Sequence, residues 1–289
     1  MSRIVDAGID YLACTMHKDV QNPHEWAARA VLAMGLLEDA GNVVRFGTWN
    51  GYEGHFCGGA FYGERDDSYH IHIPGAWAGI TWQGLHDERL HYSRLDLQVT
   101  WQYDDDDLLR GEGFYVAACQ HNETRSIKQR RKVRRIEDHG CGVTVYVGSR
   151  KSAHMGRLYD KGRQTGEEAY ERSWRYEVEL HNESATTTAR YIWQRLASVA
   201  RVTSSTVWQY FRERGITPPW SKVDEESALR PSTTPKTDIE RKLQWLREQV
   251  APTVRLLQLS VPAATILTSL GLYDTDPLPS GTVDNEGGT

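Results

Sequence analysis

The chain has 289 residues, 39% of them hydrophobic, and a formal net charge of −5. This length allows one large domain with a sizeable core plus a small appendage. An evenly spread negative charge would argue against nucleic-acid binding, but residues 125–163 contain twelve Lys and Arg against three acidic residues, a local balance of +9 (12 − 3). Because counterion release depends on local cations, this block indicates a phosphate-binding face; a solvated charged hairpin is the alternative.

The four cysteines are far apart and form neither a CxxC pair nor a Cys/His finger. We expect reduced thiols, as in cytoplasmic proteins. The first residues, MSRIVDAGIDYLA, lack the apolar run of a signal peptide, and no segment approaches the ~20 apolar residues of a membrane span. The chain is therefore expected to be cytoplasmic.

The N-terminal third predicts a strand, a helix and then short strands. Residues 8–15 form the strand; the helix begins after Asn22, with Pro23 at its first position, and ends before Gly41. Glycine-punctuated strands and a second short helix are expected at 43–49, 54–63, 69–75 and 77–85.

The sequence His70-Ile71-His72 places two histidines on the same face of a predicted strand. Two such imidazoles can bind a divalent ion. With eleven histidines in the chain, a chance pair is common. We therefore favour surface histidines on an exposed strand face, and leave a role in a metal site open.

The strand predicted over 93–100 has a polar and an apolar face. Arg94, Asp96 and Gln98 share one face, because side chains alternate along a strand, and Leu and Val residues take the other. Asp96 is therefore a candidate metal ligand. The alternative is a salt bridge to an arginine of a neighbouring strand, such as Arg175.

The next segments combine charge runs with another predicted strand. Four consecutive aspartates at 104–107 favour a solvated turn, since adjacent like charges do not converge on one ion. A strand is expected over 114–119. The basic segment RSIKQRRKVRR at 125–135 is then a loop, a polar helix or a hairpin arm, and its arginines suit phosphate contacts.

The stretch TVYVGSRKSAHMGRLYDKGRQTGEEAYERSWRYEVEL at 144–180 predicts half-buried strands at 144–147, 156–161 and 174–180, with a basic loop after the first. The polar residues of the last two strands each fall on one face. They are Arg157, Tyr159 and Lys161 on one strand and Arg175, Glu177 and Glu179 on the next. A tyrosine among cations beside paired carboxylates suits metal-assisted phosphoryl transfer to the tyrosine. Competing tyrosines are Tyr146, Tyr170 in a loop, and Tyr176, which should face the core.

The remaining chain predicts helices over 182–200 and 204–214. A Ser/Thr/Pro-rich linker at 221–236, a helical segment at 237–273 and a disordered polar tail at 274–289 follow. The whole pattern predicts an α+β fold: a curved antiparallel or mixed sheet with a polar concave face, helices packed on its apolar face, and a C-terminal helical appendage.

The successive runs YVGSRKS, RLYDKG and WRYEVEL, preceded by SRLDLQV and followed by TDIERKLQWLREQVAP, resemble the Rep_trans type of replication initiation protein. This family comprises rolling-circle initiators of plasmids and phages and related nickases, or relaxases, of integrative conjugative elements. The similar pieces span roughly residues 10–252. The resemblance implies that residues 1–220 form a catalytic DNA-nicking domain.

The resemblance implies a rolling-circle initiator that nicks origin DNA by metal-assisted transesterification. Tyr159 would be the nucleophile, giving a 5′-phosphotyrosine link and a free 3′-hydroxyl primer. Asp96, Glu177 and Glu179 are the candidate ligands of Mg²⁺ or Mn²⁺. The candidate DNA-binding residues are Arg94, Ser149, Arg150, Lys151, Ser152, Arg157, Lys161 and Arg175.

Two alternatives remain open from the sequence. A conjugative relaxase would use the same chemistry to begin transfer, and a non-catalytic origin-binding protein would bind without forming a covalent adduct. Since the chain has no GxxxxGK loop, unwinding would need a host helicase. The expected partners are therefore origin DNA with an exposed single strand, a host helicase and a second copy in a homodimer.

Overall fold

The structure, a computed structural model, describes residues 2–105, 107, 109–138, 140, 142–194 and 199–221. Within these ranges the strands are β1 (Arg3–His17), β2 (Val44–Trp49), β3 (Tyr52–Cys57), β4 (Ala60–Arg65), β5 (Ser68–Pro74), β6 (His91–Gln102), β7 (Val133–Asp138), β8 (Gly142–Gly148), β9 (His154–Asp160) and β10 (Ser173–His181). The helices are α1 (Pro23–Asp39), α2 (Ala76–Leu85), α3 (Arg110–Glu123), α4 (Lys161–Thr165), α5 (Asn182–Trp193) and α6 (Val199–Arg212).

The ten strands form one open sheet in the order β2-β3-β4-β5-β1-β6-β10-β9-β8-β7. All neighbours in this sheet are antiparallel. The long strands β1 and β6 pair with each other at its centre, so they join the N-terminal hairpins to the strands of the second half. An antiparallel sheet of this kind can bear one apolar and one polar face.

The apolar face, here called the back, carries the core. Its buried residues on β6 and β10 are Leu95, Leu97, Val99, Tyr176, Val178 and Leu180. The helices α5 and α6 pack over it: Thr186 accepts a 2.9 Å hydrogen bond from the Tyr92 backbone N–H, and the Tyr210 hydroxyl donates a 2.7 Å bond to the Val147 carbonyl. Burying each large apolar side chain contributes about 1.5–3 kcal/mol, so this face stabilises the sheet.

The strand β1 departs from regular alternation. Its register with β6 shifts between Ile9 and Tyr11, and again between Ala13 and Cys14. Each shift is an irregularity of the bulge type, which bends a strand and re-aims a side chain. Asp10, at the first shift, lies on the side of the sheet that bears the polar residues, where it contacts Arg175.

Most predicted elements are confirmed, and the antiparallel alternative for the sheet is correct. The strand predicted over 114–119 is wrong: these residues belong to α3. Their apolar run has the length of a strand, but Gly111 and Ala118, seven residues apart, are the buried positions of a helix. Lys161 also begins α4 and does not lie in β9 as predicted.

The predicted C-terminal segments after Ser221, the linker, the helical segment and the tail, lie outside the described residues. The predicted aspartate turn at 104–107 is described except for residue 106. None of the helices in the described ranges combines the length and apolar character needed to cross a membrane.

A substitution at Gly156 tests the packing of α6 on the back of the sheet. A Cβ at Gly156 would lie 2.5 Å from Cε1 of Tyr210 and 3.1 Å from the Phe211 ring. We expect Gly156→Ala to lower the free energy of unfolding by about 1–3 kcal/mol, because these buried rings must shift. At Gly35, in α1, a Cβ meets no atom within 4 Å, so Gly35→Ala should raise stability by up to about 1 kcal/mol. Urea denaturation measures both; wild-type stability in Gly156→Ala would contradict the tight contact.

Candidate active site

The polar face of the sheet, here called the front, brings the predicted site residues together. Glu179 of β10 is paired with Asp96 of β6, and Arg175 of β10 is opposite Tyr159 of β9. Glu177 lies between the two positions on β10. Alternation along these strands puts all five side chains on one side of the sheet.

Asp96, Glu177 and Glu179, here called the carboxylate cluster, are buried, with exposed fractions of 1%, 0% and 3%. Arg94 binds Asp96 through two contacts, Nε to Oδ1 at 2.9 Å and Nη2 to Oδ2 at 2.6 Å. Its Nη2 also lies 3.1 Å from Oε2 of Glu179. Buried charges are stable only when paired, so Arg94 is the counterion of two cluster members.

Arg157 is the second cation of the cluster. Its guanidinium donates a hydrogen bond to Oε1 of Glu177, and its Nη2 lies 3.7 Å from Oδ2 of Asp96. Burial raises the pKa of Asp96 well above its ordinary value; Arg94 opposes this, and the charge of Glu177 adds to it. Three carboxylates thus face two guanidinium groups, and the cluster is short of positive charge.

Glu179 has an additional partner. Burial by itself raises its pKa, but the adjacent His181 imidazole and the charge of Arg94 lower the pKa below its ordinary value. The His181 Nε2 atom lies 3.0 Å from Oε1 of Glu179. The environment of Glu179 therefore favours its charged form, in contrast to that of Asp96.

Tyr159 is buried beside the cluster, and its hydroxyl donates a 3.4 Å hydrogen bond to Oε2 of Glu177. Burial raises the pKa of Tyr159 well above its ordinary value; Glu177 adds to the rise, whereas Arg175 and Arg157 oppose it. The phenol is thus held protonated while its proton points at a carboxylate. A nucleophile and its base have this relation.

Arg175 is held in place by residues of β1 and β6. Its Nη1 lies 3.0 Å from Oδ1 of Asp10, and its Nε donates a 2.9 Å hydrogen bond to Oγ1 of Thr100. Asp96 does form a salt bridge, as the predicted alternative holds, but its partners are Arg94 and, at 3.7 Å, Arg157, and not Arg175. Sequence reasoning missed Asp10, because the register shift there removes the alternation that would have revealed it.

A cleft of about 780 Å³ opens beside Tyr159. Its polar lining includes Asp10, Tyr146, Arg157, Tyr159, Lys161 and Arg175. Lys161 lines the cleft from the start of α4, so it keeps its predicted proximity to the tyrosine although it is not on the strand. Tyr159 and the arginines are therefore reachable from one opening.

The predicted DNA-binding residues fall into two groups. Arg94, Arg157 and Arg175 are paired with carboxylates of the chain itself. Arg150 and Lys151, in the turn after β8, are exposed and make no ion pair with any described residue. Lys161, at the start of α4, likewise makes no ion pair with a described residue, and the binding roles of all these residues stay predictions.

The two serines of that turn shape it from within. The Ser152 hydroxyl accepts from the backbone N–H of Ser149 and donates to the carbonyl of His154, at 3.3 and 2.8 Å. The Ser149 hydroxyl accepts a 3.3 Å bond from the backbone N–H of Lys151. Both serines thus hold the conformation in which the two cations project outward.

The competing tyrosines have different surroundings. Tyr176 faces the core, as predicted, and is fully buried. Tyr170 lies in a short 3₁₀ turn, with Arg175 5.9 Å and Lys161 5.5 Å from its ring centroid. Tyr146 is on the front of β8. Among the four, the described contacts place only the Tyr159 hydroxyl against a carboxylate.

His70 and His72 are buried, with exposed fractions of 3% and 8%, so the prediction of surface histidines is wrong. The ring centroid of Trp49, the last residue of β2, lies 4.7 Å from the ring centroid of each histidine. Thr15 contacts His70, with Oγ1 3.0 Å from Nδ1. Burial lowers the pKa of His70 to about 3 and that of His72 to about 4.

The described part of the chain contains no group of three or more His, Cys, Asp or Glu side chains arranged to hold a metal. In the carboxylate cluster the arginines stand between the acidic groups. The donor set is nevertheless of the type that Mg²⁺ and Mn²⁺ prefer, namely carboxylate oxygens.

A tyrosine hydrogen-bonded to a buried carboxylate, beside a cleft whose lining includes Arg157, Lys161 and Arg175, is an arrangement suited to phosphoryl transfer. The Rep_trans family, described as replication initiation factors, matches residues 112–266, just over half of the 289 residues. The chain therefore belongs to this family. The matched range includes Tyr159 and Glu177, whereas Asp96 precedes it.

Among solved structures, a similar one is a rolling circle replication initiator protein from Geobacillus stearothermophilus. It has 19% sequence identity, a TM-score of 0.47, and coverage of 66% of this chain and 80% of that chain. No curated protein matches the chain.

The dependence of the carboxylate cluster on Arg94 can be measured as a change in the free energy of unfolding of the protein. We expect Arg94→Met to lower the free energy of unfolding by about 3–5 kcal/mol at pH 7, because Asp96 and Glu179 lose their shared cation. The loss should shrink at pH 5, since buried carboxyls with raised pKa values take up protons that the unfolded chain does not. As a matched control, Arg163 pairs with Asp160 at 3.2 Å near the surface, and Arg163→Met should lower stability by less than about 1 kcal/mol. Equal losses in urea titrations would contradict the assigned role.

The buried histidines predict acid sensitivity. Their folded-state pKa values lie below the ordinary 6.5, so as pH falls below about 6.5 the unfolded chain gains protons first and stability is lost. We expect His70→Phe to remove about 2 kcal/mol of the loss that wild type shows between pH 7 and pH 5. The control is the exposed His55→Phe, whose stability should follow the wild-type pH dependence. Parallel pH curves for His70→Phe and wild type would refute the burial of a neutral imidazole.

Proposed function

We propose that this replication initiation factor is a rolling-circle initiator that nicks origin DNA, with Tyr159 as nucleophile. The observation that carries the proposal is the hydrogen bond from the Tyr159 hydroxyl to Oε2 of Glu177, at the edge of a cleft whose lining includes the cations Arg157, Lys161 and Arg175 and the acidic residues Asp6, Asp10 and Glu167. The family membership supports DNA as the substrate.

In the proposed reaction, the Tyr159 oxygen forms a bond to the scissile phosphorus and the P–O3′ bond breaks. The phenol proton passes to Glu177, and the departing 3′-oxygen takes up a proton to become a hydroxyl. The products are a 5′-phosphotyrosine link and a 3′-OH primer. The number of phosphoester bonds is unchanged, so reversal can reseal the strand without a nucleotide cofactor.

The positive side chains around Tyr159 would compensate for charge that develops in this step. Arg175 and Arg157 already oppose the rise in the phenol pKa. Guanidinium groups also bind phosphate oxygens through two parallel hydrogen bonds. We therefore propose that Arg175 and Arg157 bind the scissile phosphate. The phosphate would compete with Asp10 for Arg175 and with Glu177 for Arg157.

Asp96 and Glu177, with Glu179 assisting, are the proposed holders of Mg²⁺ or Mn²⁺. They fit in chemistry, because the cluster consists of buried hard-oxygen ligands with too little positive charge. When bound, the metal would polarise the scissile phosphate. With the metal bound to these carboxylates, Arg94 and Arg157 would lose part of their contacts with them.

The remaining predicted DNA contacts belong to the proposal as well. Arg150 and Lys151 would hold phosphates next to the scissile one, on the turn that Ser149 and Ser152 shape. Lys161 would do the same from the cleft wall. Such contacts position the strand without reading its sequence.

Origin DNA is the proposed substrate, and a host helicase and homodimerisation remain predictions. A conjugative relaxase with the same chemistry would act on a transfer origin. A non-catalytic origin-binding protein is the other alternative, which the contact between Tyr159 and Glu177 does not favour.

The test is covalent adduct formation between purified protein and a supercoiled plasmid carrying the cognate origin, with Mg²⁺ or Mn²⁺. We expect an adduct with wild type and none with Tyr159→Phe, because the phenylalanine lacks the attacking oxygen. Glu177→Gln should lower the cleavage rate roughly 10²- to 10⁴-fold, as expected for loss of a general base.

The controls are Tyr170→Phe and a binding assay on the same DNA. Tyr170→Phe should still form the adduct, whereas loss of the adduct only in that variant would move the nucleophile to Tyr170. Unchanged adduct in Tyr159→Phe would show the assignment of Tyr159 to be wrong. Origin binding without an adduct in wild type would support the non-catalytic alternative.

A further inference from the structure

We propose that the front of the edge hairpin β7–β8 binds single-stranded DNA and leads it to Tyr159. The residues are Lys132, Arg134 and Tyr146, here called the edge strip. The inference rests on the proposed function, since it assigns a path to the strand that Tyr159 would cut.

The strand register connects the edge strip to the active site. Arg134 of β7 is paired with Tyr146 of β8, and Tyr146 is paired with Arg157 of β9. Neighbouring strands are about 4.8 Å apart, so Arg134 is roughly 10 Å from Arg157 across the sheet. Tyr146 also lines the cleft that contains Tyr159. The edge strip is therefore continuous with the cleft.

The edge strip offers the two chemistries that single-stranded DNA binds. The guanidinium carbon of Arg134 lies 5.3 Å from the ring centroid of Tyr146, and Arg134 is exposed. An aromatic face stacks with bases, and a neighbouring guanidinium binds phosphate or stacks in turn. In a duplex the base faces are covered, so a ring that stacks with bases favours a single strand; Tyr146 is half-buried, with its ring on the front of the sheet.

Lys132 extends the edge strip toward the basic turn. The backbone N–H of Gly148 donates a 2.8 Å bond to the Lys132 carbonyl, which continues the β7–β8 ladder by one position. Alternation then puts Lys132 on the face of Arg134. Arg150 and Lys151 follow within three residues of Gly148, so the positive charge continues along this end of the sheet.

The basic side chains on the two faces of β7 differ in whether carboxylates neutralise them. Arg135, on the back, is neutralised by Glu112 at 3.1 Å and Glu137 at 2.8 Å. Lys132 and Arg134, on the front, have no ion pair with any carboxylate in the described ranges. The positive charge on the front of β7 is therefore available to a phosphate, whereas that of Arg135 is already neutralised by carboxylates of α3 and β7.

The experiment measures binding of a fluorescein-labelled oligothymidylate of about 20 nucleotides by anisotropy, without metal and at several salt concentrations. Arg134→Ala should weaken binding and reduce the slope of log K against log salt by about 0.7, the value for one lost phosphate contact on a single strand. Tyr146→Leu should weaken binding roughly tenfold with an unchanged slope, because it removes stacking and no charge.

Arg135→Ala is the matched control, since it removes the same charge from the opposite face of the same strand. Its affinity should remain within about twofold of wild type and its salt slope unchanged. Thermal unfolding checks that each variant folds. Equal weakening by Arg134→Ala and Arg135→Ala, or a weakening confined to a duplex probe, would overturn the edge strip, as would a wild-type protein that does not bind the oligothymidylate.

The outcome is separable from that of the proposed nicking reaction. The oligothymidylate assay involves no covalent step, and Arg134→Ala and Tyr146→Leu leave Tyr159 and Glu177 in place. Failure of the edge strip would leave adduct formation in place, and absence of an adduct would leave the binding results in place.

Discussion

Three buried carboxylates on neighbouring strands impose the constraint on which this site depends. Asp96, Glu177 and Glu179 are accommodated inside the protein because arginines meet them, Arg94 from β6 and Arg157 from β9. The register of the sheet is therefore specified from both faces. A one-residue slip of β10 would turn its carboxylates into the core and its Tyr176 and Val178 outward.

The first strand of the chain completes the site through a series of hydrogen bonds. Arg175 donates to Thr100 at 2.9 Å, Thr100 donates to Gln98 at 3.0 Å, and Gln98 donates to Asp6 at 2.6 Å. Asp10 holds the other end of the guanidinium. A satisfied polar network of this kind fixes side-chain orientation, so Arg175, which is opposite Tyr159 in the strand pairing, is positioned by β1 and β6 together.

Local alternation allowed much of this site to be predicted, because each of its strands has one polar and one apolar face. The faces of β6 and β10 follow directly from their sequences, and so does Tyr159 on β9. The predictions that were wrong or incomplete concern residues whose environment depends on contacts between distant segments. His70 and His72 are buried by Trp49, whose position is set by a different hairpin. The run at 114–119 is helical because α3 packs through Gly111 and Ala118, and Asp10 was missed because a register shift interrupts the alternation of β1.

Charge balance argues for an additional cation in the proposed nicking reaction. The carboxylate cluster has three acidic groups and two arginines, and Asp10 engages Arg175. A scissile phosphate would add another anion beside a phenol whose pKa burial already raises. If the phosphate took Arg157 and Arg175 without replacement, Glu177 and Asp10 would lose their counterions in a low-dielectric setting, where an unpaired charge is strongly unfavourable. A divalent ion at Asp96 and Glu177 would resolve the part of this deficit that falls on Glu177, since it would supply positive charge to the cluster while Arg157 turns to the phosphate. In the pairing seen in the structure, Arg157 and Arg175 are held by carboxylates of the chain itself, and burial keeps the phenol of Tyr159 protonated.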